Sequence, residues 1–256
     1  MKKILCLGHA SYDITIPMDK YPTENIKYRV LNRIECGGGP ASNAAYLLGK
    51  WGMNTYFSGV LGNDIYGKRI KKEFENVGVD TRYIELSKKY KTTNSFIIVN
   101  KKNASRTIFA YRDKSMKMEN TNIRIKPDYA LFDGEDFEIA TKVIRNNPCC
   151  ITILDAGRAK YSTIKLGKMV NYLVASKNFA EDFTGVKINY KDYNSLVKVY
   201  NLLEKDFTAN IVITLESHGC LYKIDGKVKI MPGYKVKAID TTGAGDIFHG
   251  AFVYAL

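Results

Sequence analysis

From Tyr129 onward the chain alternates short apolar runs with segments of helical period: "YALFDG", "CCITILDAG", "YLVAS", "YNSLVKVYNLLEK" and "NIVITLES". Strands separated by helices return through right-handed crossovers, so this order predicts a largely parallel sheet covered by helices on both faces. At the start, "KKILCLG" reads as another buried strand that ends in a loop. "GGGPASNAAYLLGKWG" is a glycine loop running into a helix. Pro40 suits its first turn, Ala44, Ala45, Leu47, Leu48 and Trp51 share a face, and Gly52 suits the stop. "NTYFSGV" reads as a strand, and "GNDIYGKRIKKEFENVG" as a helix capped by Asn63 or Asp64 and closed by Gly78. "DITIPMDKYP" and "IKYRVLNRIE" alternate apolar and polar residues as half-exposed strands do. "TNSFIIVN" and "SRTIFAY" form a predicted hairpin across "KKNA". These extra strands, near residues 12–34 and 93–111, cannot all join the parallel sheet, and a small second layer, a lid, is expected. No repeat or proline-rich linker divides the sequence, so residues 1–256 read as a single domain.

With 45% hydrophobic residues the chain can bury a large core. Lys and Arg number 39 against 26 Asp and Glu, and the net charge of +13 favours anionic partners such as phosphates and nucleotides. The lysines are scattered and no nucleic-acid-binding motif accompanies them, so no nucleic-acid partner is expected. Cys6, Cys36, Cys149, Cys150 and Cys220 form no C-x-x-C pair and show no metal-ligand spacing with His9, His218 or His249. Reduced, mostly buried thiols are expected. The first apolar run is too short for a signal peptide or a membrane span, which predicts a soluble, cytoplasmic protein without a membrane partner.

In open parallel sheets, ligands gather where strand carboxyl ends meet helix N-termini. "LCLGHASYD", "ILDAGR", "LVASKNFAE", "VITLESHG" and "DTTGAGD" should therefore converge on one edge. Within the last of these, "TTGAGD" leads straight into the apolar helix "IFHGAFVYAL". Glycines permit close backbone approach, and the first N–H groups of a helix lack internal partners and carry the positive end of its dipole. Such a junction binds anionic oxygen. It is neither a P-loop nor a G-x-G-x-x-G fingerprint. Asp246 reads in two ways: as a base that takes a proton from an attacking hydroxyl, or as an ordinary helix cap.

"DTTGAGDIFHGAF" resembles the C-terminal signature of the ribokinase-type (PfkB) carbohydrate kinases, and "GGGPASNAAYLLGKWG" with "GVLGNDIYG" resembles their N-terminal signature. The resemblance runs from "CLGHASYD" to the last residue. It implies a three-layer α/β/α ribokinase-like sandwich with a mostly parallel central sheet and a β-sheet lid. The implied reaction is phosphorylation of a sugar hydroxyl by ATP with Mg²⁺, and the implied assembly is a homodimer paired through the lid. By resemblance Asp246 is the general base, and Gly243, Ala244 and Gly245 form an anion hole to which Thr242 adds a hydroxyl. Asp13, with Ser11 beside it, and Gly38, Gly39 and Asn43 would hold the sugar. Asn178 and Glu181 match an N-x-x-E element for Mg²⁺ and the nucleotide phosphates, and their spacing of three turns both the same way on a helix. Thr214 and Gly219 match a nucleotide-binding segment, whereas His249 reads as packing.

Two departures stand out. Glu216 replaces a usual glycine, and a carboxylate there is unwelcome near ATP unless it faces away or meets a cation. The family also continues through further helices beyond the position of Leu256. Either the sequence is trimmed or nucleotide affinity is compromised, and the apolar ending "GAFVYAL" favours trimming. The alternative function is a catalytically impaired sugar- or nucleotide-binding protein, against which Asp246, Asn178 and Glu181 speak. The acceptor stays open among sugars, keto-deoxy acids, sugar phosphates and nucleosides, with Lys27, Arg106, Tyr111 and Arg112 as lid residues that would discriminate.

Overall fold

Strand β1 (Lys3–Leu7) is apolar and buried on both faces from Ile4 to Leu7, as a central parallel strand must be. Leu5 and Leu7 pack into one core and Ile4 and Cys6 into another, so the sheet divides two hydrophobic layers. The computed structural model describes residues 1–103, 105–120, 122–238 and 240–256. Its larger sheet has nine strands. At one end β1 pairs with β4 (Asn54–Gly62), which pairs with β5 (Asp80–Ser87). On its other side β1 is followed by β8 (Tyr129–Phe132), β9 (Ile151–Ala156), β10 (Tyr172–Ser176) and β11 (Asn210–Thr214). All these pairs are parallel, and β12 (Cys220–Ile224) and β13 (Lys227–Met231) complete the edge antiparallel.

Helices α3 (Phe137–Asn146), α4 (Tyr161–Gly167), α5 (Lys177–Thr184) and α6 (Tyr193–Asp206) cover one face. The other face is covered by α1 (Pro40–Lys50), α2 (Ile65–Asn76) and α7 (Ala244–Ala255). Pro40 sits in the first turn of α1, and the Asp64 side chain caps α2 by accepting from the Gly67 N–H. The thiols are free, with Cys6, Cys150 and Cys220 buried and Cys36 and Cys149 exposed. Among the described residues no helix is long and apolar enough to cross a membrane.

The lid is a four-stranded sheet in the order β3 (Ile34–Gly38), β2 (Ser11–Met18), β6 (Asn94–Asn100), β7 (Arg106–Tyr111). The expected hairpin is β6 with β7, paired antiparallel. The strand expected over "IKYRVLNRIE" forms only in its last part. Residues 19–33 contain no strand, and Ile26, Val30 and Leu31 are exposed. The physical reason lies in the sheet: β3 is already its edge, so a preceding alternating segment has no strand in this chain to pair with. Strands β5, β12 and β13 are additions that the sequence reading did not include.

Two groups on α2 fasten the lid to the body. Arg69 donates to Tyr12 Oη at 3.1 Å and to Glu35 Oε2 at 2.8 Å, and Glu73 Oε2 accepts the Gly37 N–H at 2.8 Å. A third tie is buried. The Asp133 carboxyl, just past β8, accepts from the N–H groups of His9 (2.6 Å), Ala41 (3.3 Å) and Glu135 (3.1 Å). It thereby joins the exit of β1, the start of α1 and the exit of β8. Burial pushes this carboxyl up to about 7, against the opposing pull of the His9 and Glu135 N–H groups. An unfolded Asp titrates near ~4, so the folded state retains the proton longer and stability should fall as pH rises from about 4 through 7. Denaturant midpoints across that window should decline, and Asp133→Asn should flatten the decline; an unchanged slope in the variant would remove Asp133 as its source.

Candidate active site

Helix α7 begins at a turn that only an unusual backbone allows. Gly243, its N-cap, has φ +73°, a left-handed conformation that suits glycine. The next two residues, Ala244 and Gly245, are exposed. Ala244 N–H makes a long 3.3 Å bond to Thr241 O, and Ile247 N–H closes the first helical bond on Gly243 O at 2.9 Å. The N–H groups of Gly245 and Asp246 have no acceptor among the described residues. These are the free donors of a helix start, directed outward with the dipole behind them. Thr242 gives both its N–H (2.8 Å) and its hydroxyl (2.7 Å) to Asp240 Oδ1, so its side chain braces the loop.

Asp246 is not the cap of its helix: Gly243 holds that position, and Asp246 lies in the first turn. Its Oδ2 instead accepts from Asn43 Nδ2 at 2.7 Å, a contact that joins α7 to the first turn of α1. Burial raises the Asp246 pKa, the Asn43 hydrogen bond opposes the rise, and the charge of Asp13 adds to it. Asp13 lies on β2, where its Oδ1 accepts from Ser11 Oγ at 3.0 Å, and burial raises its pKa as well. Gly38 on β3 leaves room for this carboxylate: a Cβ there would stand 2.1 Å from Asp13 Oδ2 and push the side chain aside. Gly39, at φ +101°, turns the chain into α1 against His9. Ser11, Asp13, Gly38, Gly39, Asn43, Gly243 and Asp246 are therefore gathered at one edge, where lid and body meet.

The other candidates lie along the carboxyl ends of β10 and β11. Asn178 and Glu181 do not share the outlook that their spacing predicted. Asn178 is exposed, whereas Glu181 is buried and turned into the loop after α5, accepting from Lys187 Nζ (2.7 Å) and the Ile188 N–H (3.0 Å). The Lys187 hydrogen bond lowers its pKa. Among the described residues no group of three or more His, Cys, Asp or Glu side chains is gathered to hold a metal. Thr214 ends β11, with its hydroxyl 3.5 Å from Ala175 O. Gly219 has a structural reason of its own, since a Cβ there would lie 1.9 Å from Met231 O. Glu216 occupies a left-handed backbone conformation at φ +55°, which accounts for glycine being the usual residue there. Its Oε2 meets Tyr190 Oη at 3.0 Å and Lys177 Nζ at 3.9 Å, so the carboxylate does have its cation.

Of the lid residues, Arg106 donates to Thr241 Oγ1 at 2.8 Å and so reaches across to the loop before α7. Arg112 pairs with Glu135 at 2.7 Å. His249, one turn into α7, is buried, and its ring lies against polar atoms: Nδ1 is 2.6 Å from Gly245 O and 3.2 Å from Asp155 Oδ2, and Nε2 is 3.2 Å from Val174 O. Asp133 and Asp155 escaped the sequence reading. Their signal is visible in "LFDG" and "ILDAG", where an acid closes an apolar run and is therefore carried to the edge of a buried strand.

A family model, "pfkB family carbohydrate kinase", matches residues 1–256. A ribokinase of Haemophilus influenzae is 28% identical, with 100% of this chain and 85% of the relative aligned. A nucleoside kinase of Methanocaldococcus jannaschii is 26% identical over 100% of this chain and 83% of its own length. In fold, the chain superimposes on an Arabidopsis thaliana ribokinase solved with ribose and ATP. The TM-score is 0.80 at 20% identity, covering 99% of this chain and 85% of the other. With that architecture and a match along the full sequence, the chain belongs to the pfkB family of carbohydrate kinases.

Proposed function

We propose that this chain transfers the γ-phosphoryl group of ATP to a hydroxyl of a sugar held beneath the lid, with Asp246 as the general base. The observation that carries the reading is the junction at α7, where two unpaired N–H groups open beside a carboxylate that is held from outside its own helix. Phosphoryl transfer is chiefly a matter of positioning and of charge stabilisation. Donors fixed in advance meet the charge on the migrating group without reorganising. A carboxylate in such a place repels phosphate as a ligand, but suits the proton that the alcohol must lose.

Asp13 supplies two acceptor oxygens, which match adjacent hydroxyls of a sugar, and Asn43 both orients Asp246 and offers its amide. Gly243, Ala244 and Gly245 make the anion hole. Asn178, Thr214 and the strand ends near Gly219 line the path of the nucleotide. Mg²⁺ fits this donor set only as an ion held largely by nucleotide phosphates. Glu181, already paired with Lys187, would reach it through water, and the bound ion would neutralise phosphate charge. D-ribose is the first acceptor to test, because ribokinases are prominent among the relatives. One face of the lid carries Ile14, Ile16 and the exposed Phe96 and Phe109, with the exposed Val30 and Leu31 alongside, which supports a homodimer paired there. Sedimentation of the protein as a monomer at micromolar concentration would end that part of the reading.

Asp246→Asn should retain ATP binding while turnover with D-ribose, D-fructose, a keto-deoxy acid or a nucleoside falls at least ~10²-fold. Comparable turnover would remove the base. The ionised form of Asp246 is the active one and its pKa is raised, so kcat/KM should fall on the acid side at a pH above the usual carboxylate range. An acid limb that persists in Asp13→Asn, moved to lower pH by the loss of that neighbouring charge, but vanishes in a residually active Asp246→Asn enzyme would assign it. Asp13→Ala should weaken sugar binding in calorimetry and leave ATP affinity within about twofold, since hydrogen bonds to a charged acceptor are worth ~1.5–3 kcal/mol to the sugar alone.

A further inference from the structure

His249 is surrounded by acceptors. Gly245 O and Asp155 Oδ2 face Nδ1, Val174 O faces Nε2, and no donor faces either nitrogen among the described residues. A neutral imidazole would turn a lone pair toward one of these oxygens, whereas the doubly protonated ring donates at both positions. Asp155 supplies the counter-charge: it is buried at the end of β9, and His249 is the only cation within hydrogen-bonding reach of it among the described residues. Burial pushes Asp155 up to about 6, partly offset by His249, which leaves it ionised at neutral pH.

The bond to Gly245 O gives this pair a reach beyond packing. Gly245 C=O and Asp246 N–H belong to the same peptide unit, one pointing into the helix and the other out of its N-terminus. Pulling electron density toward a charged donor at the oxygen makes the N–H at the other end a stronger donor, as in any chain of hydrogen bonds. We infer that His249 is a positioning residue for the transfer reaction: ion-paired with Asp155, it polarises the Gly245–Asp246 peptide and strengthens the N–H that faces the migrating phosphoryl group. This rests on the reading of the α7 junction as the anion hole. The charged groups around the ring are Asp155 from β9, with Asp133 from β8 acting on it, and Asp246 from α7 itself, which also feels Asp13 of β2 and Arg106 of β7.

The chain has three histidines, so the ring nitrogens of His249 can be assigned in ¹⁵N-labelled protein by their loss in His249→Gln. With acceptors facing both nitrogens, both should be protonated at pH 7.5. A neutral ring at pH 7.5 in the unmodified protein overturns the inference, whether or not any variant folds. In turnover with D-ribose and ATP, His249→Gln should lower kcat about tenfold, a fraction of the ~10²–10³ that losing a whole anion-hole donor costs. KM for both substrates should stay within about twofold. An unchanged kcat, or a loss confined to KM, also overturns it. Retained turnover in Asp246→Asn would instead remove the base while leaving the protonated ring in place, so the two claims fail separately.

Discussion

The hydrogen bond from Asn43 to Asp246 joins residues at opposite ends of the chain, and the site exists because that bond can form. It requires α1 and α7 to lie side by side on the same face of the sheet. Gly250 makes this close approach: a Cβ on it would sit 3.1 Å from Ala44 Cα. Trp51 and Tyr254 meet edge to face further along the two helices, 4.9 Å between ring centroids. Two apolar helix faces thus bring a glycine loop from the first quarter of the sequence against another from the last. Neither loop carries a complete site alone. The first supplies the amide and the close approach to Asp13, and the second supplies the open N–H groups and the carboxylate.

Burial of charge is the second constraint. Asp133 and Asp155 both lie at the carboxyl ends of strands of the parallel sheet, and both are buried. Each is retained because backbone or side-chain donors meet it: three N–H groups for Asp133 and an imidazole for Asp155. Buried carboxyls are costly unless so partnered, and their cost here coincides with the points that fix the loops around the candidate site. Stability and geometry are therefore set by the same groups.

The sequence reveals the parallel sheet, the two glycine–helix junctions and the lid hairpin, because each depends on local pattern alone. It does not reveal where long side chains travel. Asn178 and Glu181 are correctly spaced to be helical neighbours, yet spacing fixes only the direction of the Cβ. The loop bearing Lys187 and Ile188, several residues later, draws the Glu181 carboxylate away. The alternating segment before Ile34 failed as a strand for a comparable reason, since pairing depends on a neighbour that no local window contains. Gly219 looked like a ligand-facing glycine by its place in a motif, and the crowding of Met231 O against it supplies an independent cause. Glu216 shows the reverse: its residue type contradicts the left-handed backbone, and the surrounding Tyr190 and Lys177 give the side chain its place.

Arg106 spans the gap between the covering sheet and the loop that precedes α7, through a single 2.8 Å hydrogen bond to Thr241. An outward swing of the cover must extend this arginine side chain or break its bond to the threonine, so the sheet and the turn before α7 are tied at this point.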